Sequence, residues 1–459
     1  MTTVHEPDGD GLATREPSGA PASTPLLHPL VAAQGIARAL GRPVGAGMSG
    51  LRHFWRALGP GVITGAADDD PSGIATYSIA GAQFGTQLLW TALLTWPLMA
   101  AVQMMCARIG MVTGRGLAAA FRQKFPRPVI LVAATALLLA NTLNIGADLS
   151  GMADAAEMLT RVSSAVWVLV FGTAIGWATL RLRYATFAHA LKWLALVLFA
   201  YVVAAVEVGP HWGAVLTAVV TPRVPRAAWP TLVGILGTTI SPYLFFWQAS
   251  QEVEEEKAIG RLGHQRRGAT QDEIVARKVD VGLGTLFSNV AMFFIILTTA
   301  LTLNPHGLTN LETSGEVAAA LRPLAGRFAT LLYTVGLLGV GALAIPTLSG
   351  SAAYAFAETF GWRQGIDERP RRARAFYGVI VLSLLAGIAL DFAHVNPVRA
   401  LYWTAIVNGV LAPFLLVGIA LTAADRELMQ GQPSSRLGQT VVWVTAVLMF
   451  GAAAGMLLL

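Results

Sequence analysis

The sequence predicts an all-α integral membrane protein, and three observations carry that prediction. The first is composition. Of 459 residues, 54% are hydrophobic and 13% charged, and the mean hydropathy is +0.58. A soluble domain carries about 25% charged and about 45–50% apolar residues, so too little polar surface is available here to cover a water-soluble particle. The second is a succession of long, non-alternating apolar segments from Ala57 onward, each of about the 20 residues that cross a bilayer as a helix. Backbone groups must be satisfied internally in hydrocarbon, and these runs are too long and too uniform to be barrel strands. The third is the placement of Lys and Arg, which gather on alternate loops.

Residues 1–52 are rich in Gly, Pro, Ala, Ser and Thr and contain neither a spanning apolar run nor the pattern of a secretory signal peptide. They are expected to form a disordered cytoplasmic tail, with a transmembrane domain over 53–459. Eleven spans are predicted there: 57–81, 86–110, 128–158, 164–181, 186–208, 229–250, 277–303, 328–358, 374–392, 396–422 and 439–459. With the N-terminus inside, inner flanks such as Arg52–Arg56, Arg108–Arg127, Lys257–Lys278 and Arg363–Arg374 hold 22 basic residues, against 6 on the outer side. The net charge of +6 and pI near 9.7 therefore reflect topology and argue against a nucleic-acid partner. The single cysteine, Cys106, excludes an intrachain disulfide and a cysteine-ligated metal site.

Two spans are wrong for ordinary membrane helices. In the first, Asp68, Asp69 and Asp70 sit mid-span just before Pro71, Ser72 and Gly73. Each Asp at a helix centre costs about 2.5–3.5 kcal/mol even on the lenient insertion scale. Pro71 has no N–H and disfavours helical geometry at the residue before it, so the helix opens where the acids are. Carboxylates beside freed carbonyls make a site for a hard cation. The competing reading is two short helices joined by a solvated turn. In the sixth span, Gly237, Thr238, Thr239, Ser241 and Pro242 interrupt an apolar run. A simple proline kink explains that span alone. The two interruptions, however, open corresponding five-helix sets, about 57–208 and 229–422, which points to inverted repeats around a midplane site. The span at 439–459 is then an extra, eleventh helix.

Several quoted stretches resemble the NRAMP family of divalent metal transporters. They are Gly59-Pro60-Gly61, Asp70-Pro71-Ser72-Gly73, Ile79 to Gly85 with Leu88-Leu89-Trp90, Gln103 through Gly114-Arg115, Ala147-Asp148-Leu149, Ser241-Pro242-Tyr243 and Asp425 to Met429. The resemblance covers about Leu58 to Met429. It implies a leucine-transporter-type fold of two inverted five-helix repeats and a divalent ion as substrate, with no cofactor. It also implies metal ligands at Asp70, at Gly73 (where the family has Asn), at the Thr238 carbonyl and at Ser241 (where the family has Met). Pro71, Ser72 and Pro242 mark the helix breaks. Without the soft thioether, oxygen ligands suit Mg²⁺, Mn²⁺ and Ca²⁺, with Fe²⁺ a further candidate. Of the four titratable positions that the family links to proton coupling, Asp70 and Asp148 remain, while Gly151 and Tyr243 replace a Glu and a His; Asp68 and Asp69 are additional acids.

Among the remaining polar residues, Gln103, Asn141, Asn289 and Asn408 read as interhelical hydrogen bonds. Asn144 reads in the same way, but it lies one turn before Asp148 and so shares its face, which makes it the strongest candidate among these amides to line an ion path instead. Asp154 and Glu157 read as solvated helix-end charges, the stretch Glu252–Lys278 as a solvated linker, and Gly282, Gly284, Ala342 and Gly350 as close helix packing. His189, His211, His264 and His394 lack zinc-site spacing. The expected function is a secondary transporter of hard divalent cations, working by alternating access in the cell membrane. A cation-coupled symporter of a small organic solute shares the fold and is the alternative. A membrane-embedded enzyme would require a nucleophile–base constellation, and no His lies near the acids in sequence.

Overall fold

The computed structural model describes residues 65, 68–182, 196–261, 267–392 and 395–458. The tail at 1–52, the Gly59-Pro60-Gly61 motif, the start of the first span, residues 186–195 of the fifth span, and His189, His264 and His394 lie outside the described residues. Among those described, nine helices are long and apolar enough to cross a membrane. The two other predicted spans appear in part, as the helix from Pro71 and an apolar helix ending at Val208.

The elements follow the apolar runs. They are α1 (Pro71–Phe84), α2 (Trp90–Thr113), the short α3 (Leu117–Lys124), α4 (Arg127–Thr160), α5 (Ser164–Arg181), α6 (Ala200–Val208) and α7 (Trp212–Val220). There follow α8 (Trp229–Thr239), α9 (Pro242–Ala258), α10 (Gln271–Thr302), α11 (Ala329–Phe360), α12 (Arg374–Asp391), α13 (Pro397–Ala424) and α14 (Arg436–Leu458). Short helical turns bridge 304–328. Gly114, Gly209 and Gly361 close α2, α6 and α11 in the left-handed conformation that glycine adopts without a steric penalty.

Small residues set the helix spacing. A Cβ on Gly237 would strike the backbone of Ala405 and Gly409, and one on Gly110 would meet the Ala249 carbonyl at 2.5 Å. These contacts press α8 onto α13 and α2 onto α9. The expectation of close packing holds at Gly284, whose backbone crowds Gly65, and at Gly350, where a Cβ would lie 2.8 Å from Trp247. It does not hold at Gly282, which faces open space. Asn141 and Asn289 bond between helices as expected: Asn141 Nδ2 donates to Leu348 O (2.8 Å) and Ser351 Oγ (2.8 Å), and Thr95 Oγ1 donates to Asn289 Oδ1 (2.7 Å).

Two expectations are corrected. The stretch 252–278 is not a solvated linker. α9 continues to Ala258 and α10 begins at Gln271, started by a capping box in which Glu273 Oε2 accepts from Thr270 N (2.9 Å) and Thr270 Oγ1 from Glu273 N (3.3 Å). Glu252 and Arg277 are buried, because opposite charges on the two helices face one another and pair. Asp154 and Glu157 are also more than solvated ends. Glu157 Oε2 accepts from Ser164 N (2.7 Å) and Asp154 Oδ2 from Ser314 N (3.1 Å), satisfying amides that helix N-termini leave open.

Candidate metal-transport site

Asp70 is the N-cap of α1 and Pro71 its first residue, a pairing that fixes the start of a helix: the Pro lacks only an N–H that would have no partner there. Asp70 Oδ1 accepts from Gly73 N (2.8 Å) and Ser72 Oγ (2.6 Å), and Oδ2 accepts from Asn144 Nδ2 on α4 (2.9 Å). The carboxylate is thus held by its own helix and by a second one, and is 1% exposed.

The sixth span breaks between Thr239 and Pro242, where Ile240 and Ser241 leave helical geometry and α9 restarts on Pro242. Ser241 does not cap the new helix with its side chain. Its hydroxyl reaches back to Thr238 O (2.5 Å) and Gly237 O (3.1 Å). The Thr238 carbonyl named as a ligand is therefore already engaged, while Thr238 Oγ1 is buried without a hydrogen-bond partner.

The two breaks face each other. A Cβ on Gly73 would point at Thr238 Oγ1 (3.1 Å) and lie 3.6 Å from Asp70 Oδ1. Tyr77 Oη and Thr239 Oγ1, one turn further along each segment, are 3.1 Å apart. A solvated turn at 68–73 is excluded, since Asp68, Asp69, Asp70, Ser72 and Gly73 are all buried.

The other acids lie close by. Asp148 on α4 is fully buried, faces Asp70 and the Ser72 amide, and has neither oxygen closed by a regular hydrogen bond. Ser288 Oγ on α10 reaches Asp68 Oδ2 (2.7 Å) and Asp69 Oδ1 (3.0 Å), which ties those two acids to α10. Tyr243, at the position of the family's His, is fully buried on α9. Pro71 packs against α11, where its Cγ would be 3.2 Å from a Cβ on Gly341. Sequence reasoning missed Ser288 and Gly341. Ser288 stands beside Asn289 in an apolar run, a polar pair that would have marked the face of α10 turned toward the acids.

Among the described residues no three His, Cys, Asp or Glu side chains converge on one point.

A bundle of membrane-length helices, in which the capped start of α1 and the break between α8 and α9 face each other beside a buried acid, defines a multi-pass secondary transporter. The chain belongs to the Nramp family, described as natural resistance-associated macrophage protein-like, which it matches over residues 61–459. It is 28% identical to the divalent metal cation transporter MntH of Deinococcus radiodurans, over 88% of this chain and 89% of that protein. Against the protein of the same name from Burkholderia ambifaria the identity is 26%, covering 92% of each. Among solved structures it is similar to the manganese transporter of Eremococcus coleocola (18% identity, TM-score 0.65, 89% of this chain and 87% of that one). It is also similar to MhsT bound to L-phenylalanine (15%, TM-score 0.52, 86% and 98%). These likenesses show the leucine-transporter-type fold, with two inverted five-helix repeats and an eleventh helix.

Proposed function

We propose that this protein is a secondary transporter of hard divalent cations of the Mg²⁺ and Mn²⁺ kind, moving them by alternating access across the cell membrane, with its N-terminus in the cytoplasm. The observation that carries the reading is the opposition of Asp70 and Thr238 across Gly73. Asp70 supplies the charge and Thr238 Oγ1 a neutral oxygen, the absence of a side chain at Gly73 lets the two approach, and water that a hard ion keeps completes the set. No sulfur stands among these groups, so selection against Mg²⁺ is expected to be weak. The names of the curated relatives agree with a divalent metal substrate.

An organic-solute symporter on the same fold is disfavoured by one observation. The amide of Gly73 at the N-terminus of α1, the natural seat of a solute carboxylate, is already taken by Asp70. Proton coupling in this chain would rest on Asp70 and Asp148, the two retained acids.

The test is flux into proteoliposomes. Asp70→Asn is expected to abolish Mg²⁺ and Mn²⁺ uptake while its gel-filtration profile and melting midpoint stay near those of the parent. Unchanged flux in that variant would sink the reading. Competition between Mg²⁺, Mn²⁺, Ca²⁺ and Cd²⁺ with a pH dye inside gives selectivity and coupling in the same preparation.

A further inference from the structure

Asn144 combines three properties not shared by any other described residue around Asp70. It is fully buried, its Nδ2 donates to Asp70 Oδ2 (2.9 Å), and its Oδ1 has no hydrogen-bond partner. The orientation of the amide is set by chemistry: reversed, it would press an oxygen against a carboxylate oxygen. A buried amide oxygen left without a donor is costly to keep, and here it lies beside a carboxylate in a site whose other neutral oxygen, Thr238 Oγ1, is equally unpartnered.

We propose that Asn144 is a substrate ligand that exchanges roles with its own amide group. In the empty site Nδ2 stands in for the cation, its partial positive charge facing Asp70. When an ion enters, the terminal torsion, which has two broad and nearly equivalent settings, turns by half a revolution and brings Oδ1 onto the ion. Asn144 is well placed for this exchange. It sits on α4, an uninterrupted 34-residue helix, so it offers a fixed oxygen beside the Asp70 carboxylate. Gly73 provides no competing side chain. The coordination set becomes one carboxylate, one amide and one or two hydroxyls, all hard oxygens, completed by water.

This inference rests on the reading of Asp70 as the cation site, and the experiment separates the two. Mn²⁺ and Mg²⁺ are titrated calorimetrically into the full detergent-solubilised chain and into its Asp70→Asn, Asn144→Leu and Asn144→Asp variants. Asn144→Leu keeps the shape and removes both polar atoms, and its Kd is expected to rise at least tenfold. Asn144→Asp keeps an oxygen at the ligand position and adds charge, so its Kd is expected to stay equal or fall while turnover slows as release is delayed. A residue that merely holds Asp70 in place gives the opposite for Asn144→Asp, since two carboxylates then repel. Weakening by Asn144→Asp as large as by Asn144→Leu, or a native Kd in Asn144→Leu, overturns the proposal while Asp70→Asn still loses binding. Retained binding in Asp70→Asn overturns the cation site itself. Should Asn144→Leu not fold, the sign of the Asn144→Asp effect decides alone.

Discussion

Removing the Arg277 guanidinium asks whether the charged seam between α9 and α10 is a dry joint. The Arg277 side chain is 3% exposed; Nη2 lies 2.9 Å from Glu252 Oε2 and 2.5 Å from Glu255 Oε2, and Nη1 lies 2.8 Å from Asp280 Oδ2. Two of these pairs cross from one helix to the other. Losing one partner of a buried ion pair costs about 3–5 kcal/mol, because the remaining charges stay buried and uncompensated. Net stabilities are on the order of 5–15 kcal/mol, so this is a large share. For a chain of this size that loss translates to a fall of about 3–10 °C in melting midpoint. Arg277→Met, which keeps most of the stem, is compared in detergent by fluorescence-detected unfolding with Arg363→Met. The latter breaks a pair whose members are 55% and 32% exposed and is expected to lose at most about 1 kcal/mol. Adding Glu252→Gln to Arg277→Met removes one of the stranded carboxylates, so the double variant is expected to lose less than the sum of the singles. If Arg277→Met melts no earlier than Arg363→Met, the seam is wet and the argument from buried pairing is wrong.

Two further outcomes follow from the packing and from the turn after α13. Gly237→Ala is expected to destabilise by about 1–3 kcal/mol and to impair transport, since the added carbon meets Gly409 Cα at 2.6 Å and only backbone could yield. Gly213→Ala, with nothing within 4 Å, is the control; equal melting of the two variants would remove the claim of tight α8–α13 contact. Outside the spans, Lys124 hydrogen-bonds Asp425 (2.6 Å) and, with the amides of Leu428 and Glu427, holds its carboxyl below the ordinary value of 3.8. A lowered value means that the folded state favours the charged form. The tie between α3 and the turn after α13 is therefore complete above about pH 4 and fades as pH falls through the lowered value. Hydrogen exchange at Leu428, whose amide donates to Asp425 Oδ1 (3.1 Å), checks this: protection is expected to hold from pH 7 to 5, and loss already at pH 6 would refute it.

The positions of both helix breaks were legible because they are set by local rules. Proline cannot continue a membrane helix without losing a hydrogen bond, and Asp or Ser before it offers the amides a cap or the carbonyls a partner. The structure places the restarts at Pro71 and Pro242, as those rules require. Span ends were less legible where charge enters a helix. Hydropathy cannot separate a solvated Glu from one paired across a helix interface, so Glu252 and Arg277 were assigned to water, although the Thr270–Glu273 capping box already announced the start of α10. Partners far apart in sequence were beyond local rules altogether. Ser288 meets Asp68 across 220 residues, and only the packing of α10 against the first span decides that Asp68 and Asp69 are tied to α10.

The same distinction explains why the buried acid could be singled out from sequence while the partners of the neutral oxygens near it could not. A carboxylate in hydrocarbon is expensive wherever it stands, so its presence alone signals a function. A hydroxyl or amide is cheap if it finds any partner, and its role depends on which partner it has. Ser241 and Thr238 look alike in the sequence. In the fold Ser241 directs its proton to the Thr238 carbonyl, whereas Thr238 Oγ1 remains unpartnered, facing Gly73. The first closes the broken end of α8 and the second is left open to the site. That division leaves the side chain of residue 238, and not its main chain, with the oxygen free of a hydrogen bond. It also makes Thr238→Val, which keeps the shape and the carbonyl, the substitution that separates the two: if the hydroxyl is the ligand, Mn²⁺ binding weakens, and if the carbonyl is, binding is unchanged.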